Sequence, residues 1–206
     1  MEKMIRLSGF ALMIAGFFFA VPNTAILPFV DFNAPFGELM TSNAFFYRMI
    51  IAALTVAFLS LGSIGLFLHQ SSIKAGSFFR QVAFITAFFG SVFMLANEWH
   101  QIFVLPQVAS INSEVINELG ATSQTGRYGI GAMIAFSLFS LGWILFSTSL
   151  VIGKQFKRLG PILIILGFFM IPLLSALVTP VAGGIIGGIS LGIGFFSVGF
   201  ELIKGA

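Results

Sequence analysis

The sequence predicts an all-α, polytopic membrane bundle: one domain over 1–206 with six transmembrane helices. Three observations predict it. Hydrophobic residues make up 58% of the 206 positions and charged residues only 8%, where a soluble domain carries about 25% charged residues. The mean hydropathy is +1.05. The apolar residues also fall into six windows, each close to the roughly 20 residues that cross a bilayer, with only short connections left over. A water-soluble globular domain is excluded, and no extramembrane domain fits between the windows.

The first span covers about 7–28. Lys3 and Arg6 precede the apolar stretch Gly9 to Ala20, as in a secretory leader, but the small-x-small cleavage pattern fails because Phe18 precedes Phe19-Ala20. The expectation is a retained helix. Pro22 and Pro28 should end or kink it, making the stretch to Pro35 an irregular outer segment. That segment, VPNTAILPFVDFNAPF, is apolar for an aqueous loop, which suits an interface-hugging connector or a lid over an outward pocket.

The second and third spans cover about 45–68 and 82–105. Beyond the third, Val108, Ile111, Val115 and Leu119 recur at helical spacing before Gly120, predicting a short amphipathic surface helix over about 107–119. Such a helix lies at headgroup level or docks a partner. The fourth span covers about 129–152. The fifth, 161–179, holds Pro172 at mid-span, which frees a carbonyl and predicts a kink.

The sixth span, 182–203, is glycine-rich. Gly183 with Gly187, Gly184 with Gly188, and Gly188 with Gly192 form overlapping small-xxx-small steps, the pattern that lets membrane helices approach closely. They predict packing within the bundle or a seam with a second copy.

Charge sets the orientation. Lys3, Arg6, Lys74, Arg80, Lys154, Lys157, Arg158 and Lys204 fall on one side of the six windows, and only Arg48 and Arg127 on the other. Basic residues accumulate on the cytoplasmic side, so both termini are predicted to be cytoplasmic, in a cell (inner) membrane. The net charge of +3 is thus a topology signal, and no nucleic-acid partner is predicted. Asp31, Glu38, Glu114 and Glu118 all fall in outer loops.

A charge within a span is costly and by default functional. Arg48, Glu98 and Glu201 qualify. Glu201 lies at the inner end of the sixth span and reads as a solvated interfacial charge. Glu98 belongs to the densest polar cluster, Asn97-Glu98-Trp99-His100-Gln101. At about 100° per residue, Ala83, Ala87, Gly90, Ser91, Met94, Asn97 and Gln101 share its face. His100 falls about 160° away, with Phe89, Phe93 and Ala96, facing lipid or a partner. On the second span, Ala52, Thr55, Leu59, Gly62, Ser63 and Leu66 share the face of Arg48, and the fourth span offers Gly131, Ala135, Gly142 and Ser149. Arg48 and Glu98 are therefore expected at similar depth on facing helices. One reading is an interhelical ion pair, joined by Arg127, Tyr47, Tyr128 or Asn97; the other is an outward pocket in which Arg48 and Glu98, with Gln101 nearby, meet a polar headgroup or small ligand. Trp99, Tyr47 and Tyr128 also read as an aromatic belt.

No catalytic centre, metal site or cofactor is predicted. With no cysteine, thiolate chemistry is excluded. The two histidines, His69 and His100, are expected at opposite ends of the bundle. Gly188-Ile189-Ser190-Leu191-Gly192 matches a serine-hydrolase pattern, but that motif needs a strand-to-helix turn and a converging histidine. A quinone-like ligand could lie among the 27 phenylalanines, whose number alone does not argue for one.

At Phe45 to Leu68, and from Arg127-Tyr128-Gly129 through Lys157-Arg158-Leu159-Gly160-Pro161 to Gly167, the chain resembles a widespread family of uncharacterised six-span bacterial membrane proteins, a domain of unknown function. The likeness is a basic turn followed by Leu-Gly and an aliphatic helix, after a Gly-rich fourth span; it covers about half the chain. It implies the six-span topology and no activity. Three functional classes follow from the residues: a non-catalytic membrane protein, either an accessory subunit of a larger complex, with membrane-protein partners or further copies of itself, or a binder of a lipid-like ligand; a small secondary transporter using Glu98; and a membrane-embedded enzyme with an outer-leaflet site.

Overall fold

A computed structural model describes residues 1–73, 78–122 and 126–205. Lys74, one of the topology charges, lies outside the described residues. All regular structure among them is helical, and six helices are long and apolar enough to cross a membrane. They are α1 (Glu2–Ala25), α3 (Asn43–Ile73), α4 (Phe78–Trp99), α7 (Arg127–Gly153), α8 (Leu159–Leu177) and α9 (Pro180–Lys204), with three short helices between them, α2 (Phe36–Thr41), α5 (Leu105–Ile111) and α6 (Ser113–Ala121).

The long helices overrun most ends of the predicted windows because polar residues at their ends continue the backbone ladder. In α1, Arg6 pairs with Glu2 at 2.7 Å, one turn apart. Pro22 lies inside α1 and Pro172 inside α8, and neither ends its helix.

The connectors are more ordered than expected. Of the stretch expected to be irregular as far as Pro35, the residues to Ala25 continue α1 and Leu27–Phe29 form a 3₁₀ turn, while 30–35 carry no helix and Pro35 is the N-cap residue of α2. The predicted surface helix is two helices. They break at Asn112, whose side chain accepts from the amides of Glu114 and Val115 at 3.1 and 3.4 Å and so caps α6. Between α4 and α5 the chain does not stop but widens into one π-helical turn, His100–Val104, with the Leu105 amide bonded back to the His100 carbonyl. Pro106 follows at once. It has no N–H for the Ile102 carbonyl, which disturbs the regular ladder at that turn.

The six long helices close a ring in the order α1, α3, α4, α7, α8, α9. At its tightest seams small residues bring backbones together. A β-carbon added to Gly142 of α7 would lie 2.6 Å from the backbone of Ala87 in α4, and one on Gly90 of α4 would lie 2.5 Å from the Leu138 carbonyl oxygen of α7. The glycines of α9 divide by face. Gly183 and Gly187 abut Ser175 and Ile171 of α8, whereas Gly184, Gly188 and Gly192 abut Leu27, Asn23 and Ala20 at and near α1. Both faces are thus occupied within the chain.

Two apolar cores result. The larger runs down the bundle axis through Leu12, Leu59, Trp143, Phe146 and Phe195. The smaller lies at the end carrying the long connectors, where Met40 of α2, Phe45 and Met49 of α3, Ile102 of the π turn, Leu105 and Ala109 of α5 and Ile116 of α6 form a cap. Within the cap the Gly37 amide donates to Asn117 Oδ1 at 2.8 Å. The opposite end of the bundle holds both termini and the α7–α8 turn, where Glu201 accepts from the Lys157 amide at 2.7 Å. Glu201 therefore holds a turn as well as standing at a helix end.

Candidate functional site

Apolar helices in lipid associate through packing and hydrogen bonds, so polar groups between them normally find protein partners. Most here do. Ser8 Oγ donates to the Leu61 carbonyl at 2.9 Å, Ser190 Oγ to the Leu163 carbonyl at 2.9 Å, and Trp143 Nε1 to Ser91 Oγ at 3.1 Å.

Buried side-chain atoms of Gln70, Ser140, Ser147, Gln155, Arg48 and Glu98 do not, and of these residues only Arg48 and Glu98 are charged and border one cavity, next to the cap. This cavity, of about 160 Å³, is bordered by residues from all six long helices: Phe18, Phe19, Pro22 and Asn23 of α1; Arg48, Ala52, Thr55 and Val56 of α3; Met94 and Glu98 of α4; Phe136 and Phe139 of α7; Phe168 and Ile171 of α8; and Gly184 of α9. Arg48 and Glu98 thus meet one space from facing helices. Glu98 is 3% exposed, on the same buried stripe as Ala83, Ala87, Gly90 and Ser91.

These two charges do not bond to each other. No Arg48 nitrogen lies within 4.0 Å of a Glu98 oxygen; the one ion pair among the described residues is Arg6–Glu2. Glu98 Oε2 and Arg48 Nε are buried without a hydrogen-bond partner, and Arg48 Nη1 has only Met49 Sδ, at 3.9 Å. A bare buried donor or acceptor costs about 1–3 kcal/mol, more when charged. The contact expected of an interhelical ion pair is not made.

The rest of the lining is apolar with a few further acceptors. Thr55 Oγ1 donates to the Ile51 carbonyl at 2.7 Å and Asn23 Nδ2 to the Phe19 carbonyl at 2.7 Å, which leaves the Asn23 carbonyl oxygen to accept. Pro22 and Pro172 have no N–H, so the carbonyls of Phe18 and Phe168, one turn before them, lose their helical donors. Phe18 and Phe168 both border the cavity. The cap core begins beside Arg48 and Glu98, at Phe45, Met49 and Ile102, and covers that end with apolar side chains. Laterally, α7 and α8 have the sparsest seam of the ring, and Phe136 of the lining is 38% exposed on the bundle's outer surface.

The other polar residues of the sequence cluster go elsewhere. Asn97, Arg127 and Tyr128 line a separate shallow groove between α4 and α7, together with His100. The His100 ring lies 5.7 Å from that of Tyr128, so His100 faces a neighbouring helix of the same chain and is half-buried. Tyr47 is exposed and packs its edge on Phe46. Gln101 sits half-buried in the π turn and does not border the cavity. Among the described residues no three His, Asp or Glu side chains converge.

Two members of the structure were not singled out in the sequence. Asn23 borders the cavity; its position after Pro22, where Asn readily bonds back to the preceding turn, is the signal. Arg80, counted with the topology charges, is 8% exposed and donates from Nη1 to the Gln70 carbonyl at 2.8 Å. Comparison with protein-family models, curated proteins and solved structures finds no match. The cavity's chemistry thus stands alone as the guide to function.

Proposed function

We propose that the chain is a multi-pass protein of the cell (inner) membrane, both termini cytoplasmic, that binds a lipid-like ligand with its polar head between Arg48 and Glu98. One observation carries this: two unpaired opposite charges share a cavity of otherwise apolar lining. Leaving charge bare between membrane helices is expensive, and a ligand that bonds to both groups removes that cost. The apolar cap favours a ligand from the bilayer over one from water, since the way to the cavity through the cap crosses side chains such as Phe45 and Ile102. Arg6, Lys154, Lys157, Arg158 and Lys204 at the terminal end support the orientation even with Arg80 removed from the count.

The test is gentle extraction of the full chain from its own membranes followed by native mass spectrometry. The expected result is a reproducible amphiphile adduct near one per chain, lost from Arg48→Gln and Glu98→Gln. Polypeptides co-extracted in fixed stoichiometry, with no small adduct, would instead make the chain an accessory subunit.

A further inference from the structure

We infer that the ligand's head is a zwitterion, with a primary ammonium on Glu98 and an anionic oxygen, of a phosphate or a carboxylate, on Arg48. The inference rests on the ligand-binding reading above and narrows it to a chemical class.

Its basis is the balance of charge and of hydrogen-bonding groups. The cavity carries one cationic and one anionic side chain and no third charge. A purely anionic head would satisfy Arg48 but bring like charge beside Glu98; a purely cationic one would do the reverse to Arg48. Like-charge juxtaposition in a desolvated site is strongly unfavourable, so a head of both signs is preferred over either alone. The two side chains stand apart by more than ion-pair distance, with Arg48 Nε and Glu98 Oε2 both bare, as a bridging molecule requires.

The kind of cation follows from the acceptors. Glu98 Oε2 needs a donor, and the same lining holds Asn23, with an amide oxygen that can accept, and Phe18 and Phe168, whose carbonyls Pro22 and Pro172 cannot serve. A primary ammonium offers three N–H groups. A quaternary ammonium offers none: it would rest on the phenylalanine faces of the lining and leave Glu98 Oε2 unbonded, at the cost of a bare buried acceptor.

The test uses the full chain, purified and stripped of lipid, with native mass spectrometry as the binding readout. Four probes are titrated: phosphatidylethanolamine, its N-trimethyl counterpart phosphatidylcholine, phosphatidylglycerol, and soluble phosphoethanolamine. The expected result is that phosphatidylethanolamine binds at least about tenfold more tightly than either other lipid, the worth of one charge-assisted hydrogen bond. Glu98→Gln should erase the preference over phosphatidylcholine. Equal or tighter binding of phosphatidylglycerol would overturn the zwitterion while leaving a lipid site in place, and preference for phosphatidylcholine would overturn the primary ammonium. Soluble phosphoethanolamine binding as well as its lipid would uphold the head-group chemistry and overturn the lipid-like ligand. No binding of any probe to folded wild-type chain would overturn both. The wild-type headgroup series decides the matter even if a variant fails to fold.

Discussion

Arg80 and Arg48 lie near opposite ends of the same helix pair, α3 and α4, and have opposite surroundings. Arg80, in the first turn of α4, donates to the Gln70 carbonyl near the end of α3. Gln70 Nε2 in turn donates to Ser149 Oγ at 3.3 Å, and Ser149 Oγ to the Phe146 carbonyl at 2.6 Å, tying in α7. An arginine there meets helix-end carbonyls and the negative end of the α3 dipole. Arg48 meets a cavity. The same two helices can therefore hold a buried guanidinium against protein acceptors; bare buried atoms also occur on Gln70, Ser140, Ser147 and Gln155, so what sets Arg48 and Glu98 apart is that both are charged and border one cavity. The open end also has the more elaborate covering, three short helices around a core of their own, while the bonded end has a short turn held by Glu201.

Substitutions at four residues probe this contrast, in descending order of effect. The largest is expected where the frame around the cavity is set by backbone contact. Gly142→Val would drive a side chain into the Ala87 backbone, which cannot move as a rotamer can, and should cost about 3 kcal/mol or more. Thermal unfolding in detergent measures it, and an unchanged midpoint would mean that α4 and α7 are free to separate. Next comes the bonded end. Arg80→Gln removes a charge-assisted bond to the Gln70 carbonyl and should cost about 2 kcal/mol. A neutral result would erase the difference drawn between the two arginines. The smallest effect on stability is expected at Arg48 and Glu98 themselves.

Much of the frame is legible in the sequence because lipid imposes it. A span must be long and apolar, and a proline in it is tolerated, so six windows translate into six helices with ends shifted by a few residues. The helix wheel matches most of each face: Ala83, Ala87, Gly90, Ser91 and Glu98 are buried, as are Thr55, Leu59, Gly62 and Ser63 on the face of Arg48, but Asn97 and Gln101, expected beside Glu98, do not border its cavity. It could not supply the order of helices around the ring. Hence His100, read as facing lipid or a partner, lies against Tyr128 of α7, and Asn97, Arg127 and Tyr128 border a groove of their own. The cap escaped for a different reason. α2, α5 and α6 run to 6, 7 and 9 residues, too short to be stable alone, and they exist by packing on one another across distant parts of the chain, as Gly37 on Asn117 shows. The burial of Arg80 is not legible in the sequence, because charge counts locate a side of the membrane and say nothing of whether a side chain turns inward.

The most direct measurement of the central claim is the unfolding stability of lipid-stripped wild type, Arg48→Gln, Glu98→Gln and the double variant, each with and without added phosphatidylethanolamine. An unpaired site predicts that each single variant stays within about 1 kcal/mol of wild type when stripped, and that only wild type gains stability with lipid, through the linkage of binding to folding. Losses of about 3–5 kcal/mol in each single variant, recovered in the double variant and unaffected by lipid, would show a buried structural ion pair and contradict the account.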